Sequence, residues 1–181
     1  MKQKMTGLIL AAVLASGMLS GCGSGTEQAS AGADDAYQEI ELVMAVNGTD
    51  IQIDTKVAKK FADLVAEGSG GRVTVAVFPN DQLAGGNSTK GIEMIAVGGV
   101  DLAAYAMSVM SVLDGQMSIA TIPWSFDDYT EARTVIDETG GDYYAKVLAE
   151  KGITYLGSFH NGFRQISNSK HEVRKPEDVQ G

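Results

Sequence analysis

The run Asn161-Gly162-Phe163-Arg164-Gln165 concentrates side chains suited to holding an anion. A guanidinium is planar, permanently charged and able to grip a carboxylate through two parallel hydrogen bonds. Gly162 lets the backbone come close, while Asn161, Gln165 and Asn168 offer polar contacts. Asn47 is a second candidate. It follows an apolar stretch, and solutes bind at the carboxyl ends of strands in open α/β sheets. Trp124, the single tryptophan, could stack on a ligand. Each has a plainer reading: Arg164 as a surface charge near a turn, Asn47 as a turn residue, Trp124 as packing.

Other chemistries find less support. The stretch Gly85-Gly86-Asn87-Ser88-Thr89-Lys90 lacks the spacing of a phosphate loop and reads as a loop with a helix cap. His160 and His171 have no cysteine or acid at metal-ligand spacing, so no metal is expected. Asp127-Asp128 reads as a helix start, and Met107, Met110 and Met117 as packing. No nucleophile elbow or serine–histidine–acid set is present, so the chain is not expected to be an enzyme or to need a cofactor.

Cys22 is the only cysteine, which excludes an internal disulfide. It closes a segment with Lys2 and Lys4 at its start and an apolar stretch from Leu8 to Leu19, too short to span a bilayer comfortably. That layout is an export signal over residues 1–21. Leu19-Ser20-Gly21-Cys22 resembles the bacterial lipobox, which implies cleavage before Cys22 and an acyl anchor on it. Residues 22–37 are small and polar, composition for a flexible tether. The chain carries a net charge of −9, a poor match for nucleic acid or anionic lipid headgroups.

The elements that must position these groups follow from periodicity. Ile40 to Val46 is a mostly apolar run, suited to a strand buried on both faces. Val57, Phe61, Leu64 and Val65 repeat at helical spacing from about Ile53, and Gly68 to Gly71 ends that helix. Arg72 to Phe78 alternates as a strand, and Pro79-Asn80-Asp81 turns the chain. Asn87 or Ser88 caps a helix carrying Ile92, Ile95 and Ala96, stopped by Gly98-Gly99. Leu102 to Ala106 is another strand. Ser125 or Asp127 starts a helix with Tyr129, Ala132, Val135 and Ile136. Gly140-Gly141 divides it from a second helix with Tyr144, Val147 and Leu148, and Ile153 to Phe159 reads as a strand. Such alternation predicts an α/β layer architecture.

Two stretches carry a family likeness. One is Phe78-Pro79-Asn80-Asp81-Gln82-Leu83-Ala84-Gly85-Gly86, followed by a helix and Gly99-Val100-Asp101-Leu102. The other is Asn161 to Asn168, followed by Lys175-Pro176-Glu177-Asp178-Val179-Gln180-Gly181. With Ile122-Pro123-Trp124 between them, they resemble the extracytoplasmic solute receptors of TRAP transporters, the DctP family, over residues 38–181. The resemblance implies a periplasmic-binding-protein-like (type II) α/β fold of two lobes that close on an organic acid. It divides the chain into a first lobe over 38–162 and the start of a second over 163–181. An N-terminal fragment is expected, because the family's main clamp arginine lies just after the segment ending at Gly181. Arg164 is then the residue that contacts the ligand carboxylate, and Asn47 lines the cleft. Met107 stands where a polar contact is usual in the family. The implied partners are a small organic acid, an ion-gradient-driven permease and, through Cys22, the lipid bilayer. The alternative is the binding lipoprotein of an ATP-driven importer.

Overall fold

The computed structural model describes residues 37–179. The expected export leader, Cys22 and nearly all of the expected 22–37 tether lie outside the described residues. A three-stranded parallel sheet forms the centre, in the order β2-β1-β3. Strand β1 (Ile40–Val46) pairs with β2 (Val73–Phe78) from Ile40↔Val73 to Ala45↔Phe78. Its other edge meets β3 (Leu102–Ala104) from Met44↔Leu102 to Val46↔Ala104. Burial deepens along β1, and Met44, Ala45 and Val46 are its core residues.

Helix α1 (Ile53–Gly68) crosses from β1 to β2 and buries Thr55 and Ala58 against the sheet. Leu64, expected on the inner face, stays exposed. Ser69 follows this helix, and its hydroxyl accepts from Val73 N at 2.9 Å. The left-handed Gly70 and Gly71 then release the chain into β2. Helix α2 (Ser88–Ala96) is capped by Asn87, whose side chain accepts from Lys90 N at 3.1 Å.

A second core layer gathers Ile92, Met110, Met117, Tyr144, Val147 and Leu148. Each such side chain taken fully out of water contributes about 1.5–3 kcal/mol. Met110 belongs to a short helix α3 (Met107–Met110), and Met117 to a 3-10 segment over Gly115–Thr121. The methionines therefore pack, as their spacing suggested.

Helix α4 (Tyr129–Val135) starts at Asp128, which accepts from Glu131 N at 2.9 Å. Glu131 in turn accepts from Asp127 N at 2.7 Å, so neither Ser125 nor Asp127 is the cap. Gly140-Gly141 does not break the chain into separate helices. A π turn over Ile136–Gly140 carries α4 directly into α5 (Gly141–Ala149), with helical dihedrals at both glycines.

Residues 153–159 are not a strand. They pair with no other strand among the described residues, and strand character exists only through pairing. No helix among the described residues is long and apolar enough to cross a membrane.

Candidate functional site

The sheet order places β2 and β3 on opposite sides of β1: the chain passes from β1 to β2 on one side and then crosses over β1 to β3 on the other. The crevice at the carboxyl ends of such strands is the usual ligand position in open α/β sheets. Three loops converge there: residues after β1, after β2 and after β3.

Asn47 leaves β1 at this edge, half-buried, with its N–H bonded to Ala104 O at 3.3 Å. Its Nδ2 donates to Asp81 Oδ2 at 2.9 Å and to Ser88 Oγ at 3.0 Å. The Ser88 hydroxyl donates to the same Asp81 Oδ2 at 2.7 Å, and Tyr105 Oη donates to Oδ1 at 2.5 Å. Asp81 is only 5% exposed, and its own N–H is tied to Val46 O at 3.0 Å. Asn80 and Asp81 both adopt left-handed backbone, φ 60° and 50°, a region Asn and Asp tolerate best after glycine. Burial, with the hydrogen bond to and negative charge of Asp81, pushes the Tyr105 phenol well above its usual 10. The phenol is therefore a fixed donor at neutral pH. Three donors thus converge on one buried carboxylate with no cation among them.

Beside this cluster lies an open depression of about 440 Å³, lined by Asp50, Pro79, Asn80, Gln82, Gly85 and Gly86. Gly48 is buried because Asp54 occupies the space its Cβ would need, and Thr55 Oγ1 donates to Gly48 O at 3.1 Å. Helix α1 is thereby fixed directly behind the edge.

The Asn161–Gln165 segment lies elsewhere. Phe163 packs at a tilt against Tyr129 of α4, ring centroids 4.7 Å apart and planes at 58°, and Phe163 N donates to Tyr129 Oη at 3.3 Å. Gly162 has φ 98°, and a Cβ there would stand 2.7 Å from Tyr129 Oη. His160 Nε2 lies 3.3 Å from Asp137 Oδ1. Asn161, Arg164 and Gln165 are exposed, and Arg164 makes no ion pair or hydrogen bond among the described residues. Trp124 is 93% exposed with φ 61°, so it is not the packing residue its plainer reading required. The structure records no contact between Asn47 and the Arg164 segment. Among the described residues no group of three or more His, Cys, Asp or Glu side chains could hold a metal ion.

In the sequence Asp81 reads as a turn residue within the Phe78–Gly86 stretch, with no role of its own. Its partners lie 34, 7 and 24 positions away, so no local pattern signals the cluster.

Comparison with known proteins places this geometry in context. Residues 44–181 match the DctP model, described as bacterial extracellular solute-binding protein, family 7. The chain is 32% identical over 124 residues to the C4-dicarboxylate-binding protein DctB of Bacillus subtilis, covering 68% of this chain and 35% of that protein. It is 31% identical over 124 residues to the 2,3-diketo-L-gulonate-binding periplasmic protein YiaO of Escherichia coli, covering 68% and 37%. A TRAP periplasmic solute binding protein of Ralstonia eutropha, solved with bound (S)-2-acetolactate, superimposes with a TM-score of 0.73 at 28% identity, over 80% of this chain and 46% of that one. The sugar acid binding protein DctPAm of Advenella mimigardefordensis, solved with galactonate, gives 0.70 at 27% identity over the same shares. The chain thus spans less than half the length of these relatives.

Proposed function

Because the chain belongs to the DctP family of bacterial extracellular solute-binding proteins, we propose that it forms the first lobe of a receptor that captures a small organic acid and delivers it to an ion-gradient-driven TRAP permease. The family is one of binding proteins rather than enzymes, in keeping with the absence of catalytic motifs noted above. The relatives named above support the TRAP class and lend nothing to the ATP-driven alternative.

The observation that carries the reading is the polar edge around Asn47 at the carboxyl ends of β1, β2 and β3. The first lobe runs over 38–162, and 163–181 begins a second lobe. Closure of the two lobes brings Arg164 onto the solute carboxylate, with Asn161 and Gln165 beside it and Trp124 as an exposed aromatic face. Water excluded from a closed cleft strengthens the guanidinium–carboxylate pair. Ligand contacts in both lobes bias the closed state, which is the physical content of capture. Outside the cytoplasmic membrane, an acyl chain on Cys22 and the 22–37 tether hold the receptor near its permease.

The test is isothermal titration of the receptor expressed from its complete reading frame against organic acids. Arg164→Gln removes charge-assisted hydrogen bonds worth about 3 kcal/mol, a loss of about a hundredfold in affinity. Undiminished affinity in that variant would refute the assignment. Tight binding by residues 38–181 alone would refute the two-lobe mechanism.

A further inference from the structure

We propose that Asp81 is a positioning residue that locks the Asn47 amide with its nitrogen turned to the buried carboxylate and its carbonyl oxygen facing the solute, so that the site selects hydroxylated acids over acids without a hydroxyl. This rests on the reading that the carboxyl edge of the sheet lines the solute cleft.

The argument is one of hydrogen-bond inventory. An asparagine amide has two N–H donors and one acceptor oxygen. The amide nitrogen of Asn47 lies 2.9 Å from Asp81 Oδ2 and 3.0 Å from Ser88 Oγ, so its donor side is turned towards these two acceptors. Ser88 has a single hydrogen and gives it to Asp81 Oδ2 at 2.7 Å, so towards Asn47 it can only accept. A carboxylate accepts and never donates. Turning the amide over would press Asn47 Oδ1 against a buried carboxylate oxygen, leaving both without a proton between them. The chemistry of Asp81 therefore decides the orientation.

Asp81 cannot yield to relieve the constraint. It is 5% exposed, its N–H is bonded to Val46 O, and its second oxygen is held by Tyr105. Asn47 Oδ1 has no hydrogen-bond partner among the described residues. An acceptor at that point repels a second carboxylate and welcomes an O–H or N–H donor. Had the amide been free to rotate, it could serve a dicarboxylate by donating. A ligand with a carboxylate for Arg164 and a hydroxyl for Asn47 satisfies both ends of the clamp.

The experiment titrates the complete receptor with matched pairs that differ in hydroxyl content: malate against succinate, and glycerate against propionate. The hydroxylated member is expected to bind about tenfold tighter, the worth of one hydrogen bond made rather than left unpaired. In Asp81→Asn that ratio falls towards one, because either amide orientation then finds a partner. Ser88→Ala removes the second acceptor that holds the Asn47 amide nitrogen and lowers the ratio while leaving Asp81 in place. It decides the matter should Asp81→Asn fail to fold. A wild-type ratio near one, with the acids still bound, overturns this proposal and leaves acid capture standing. A ratio unchanged in the folded variants overturns the role of Asp81. Failure of every acid to bind overturns the underlying acid-capture reading as well.

Discussion

Gly91 offers a sharp test of the cluster, because a single methyl group placed there reaches its centre. The residue is buried in α2, three positions after Ser88. A Cβ at Gly91 would overlap the Tyr105 hydroxyl oxygen and stand 3.1 Å from Asp81 Oδ1. Tyr105 must swing away in Gly91→Ala. It then loses a hydrogen bond to a charged acceptor, about 2 kcal/mol. Crowding in a packed interior adds about 1 kcal/mol. The helix-forming advantage of alanine over glycine returns about 1 kcal/mol. The net cost is about 2 kcal/mol, or about 4–8 °C in Tm for a folded unit of about 150–250 residues. Urea unfolding followed by circular dichroism at 222 nm measures it; fluorescence of the exposed Trp124 is a poor reporter. Gly68→Ala is the control, since nothing lies within 4 Å of its Cβ, and it is expected to stabilise. Tyr105→Phe removes the colliding oxygen, so Gly91→Ala should cost less in that background. Equal cost in both backgrounds, or a Gly91→Ala variant as stable as the control, would refute the placement of Tyr105 against Asp81.

Two further outcomes follow from the core and its edge. The Tyr144 hydroxyl is buried without a hydrogen-bond partner among the described residues, although burial is offset in part by the nearby Ala120 backbone in setting its raised pKa. Tyr144→Phe removes that unsatisfied group and should raise stability by about 1 kcal/mol in urea unfolding, whereas a loss of similar size would reveal a missed partner. Asp114 caps the Gly115–Thr121 turn, and the Gln116 backbone N–H, ahead of weaker help from the Gln116 side chain and Lys151, holds its pKa below the usual 3.8. A lowered folded-state pKa means that ionised Asp114 stabilises the fold above the ordinary value and that this contribution is lost as pH falls below it. Asp114→Asn should therefore be less stable than wild type at pH 7 and equal to it at strongly acid pH. A gap that persists in acid would contradict the charge argument.

The first half of the fold was legible because its signals are local. The apolar run of β1, the helical spacing of α1, the alternation of β2 and the Asn87 cap each depend on neighbours a few positions apart. The Gly140-Gly141 pair misled because glycine costs only about 1 kcal/mol in a helix, which a continuous buried face outweighs. Packing of Tyr144, Val147 and Leu148 into the second core supplies that face. Residues 153–159 have strand composition, but pairing is a property of two segments and cannot be read from one. Arg164 and Asn47 were visible as chemical types in a suitable context. Asp81 was not, because what matters about it is burial and three distant donors.

The π turn at Ile136–Gly140 has a consequence for how this region tolerates change. It holds one residue more than an α-helix of the same rise, so it acts as a phase shift along an otherwise continuous rod. Each residue advances a helix by about 100°. Winding the turn to regular pitch with all its residues kept would swing everything downstream by about that angle, whereas losing one residue together with the π turn would leave the downstream facing unchanged. Under that swing Tyr144 and Leu148 would leave the side facing Ile92 and Met117, and Tyr143 and Lys146 would take their places. The π turn thus absorbs the surplus residue and sets which side of α5 the core receives.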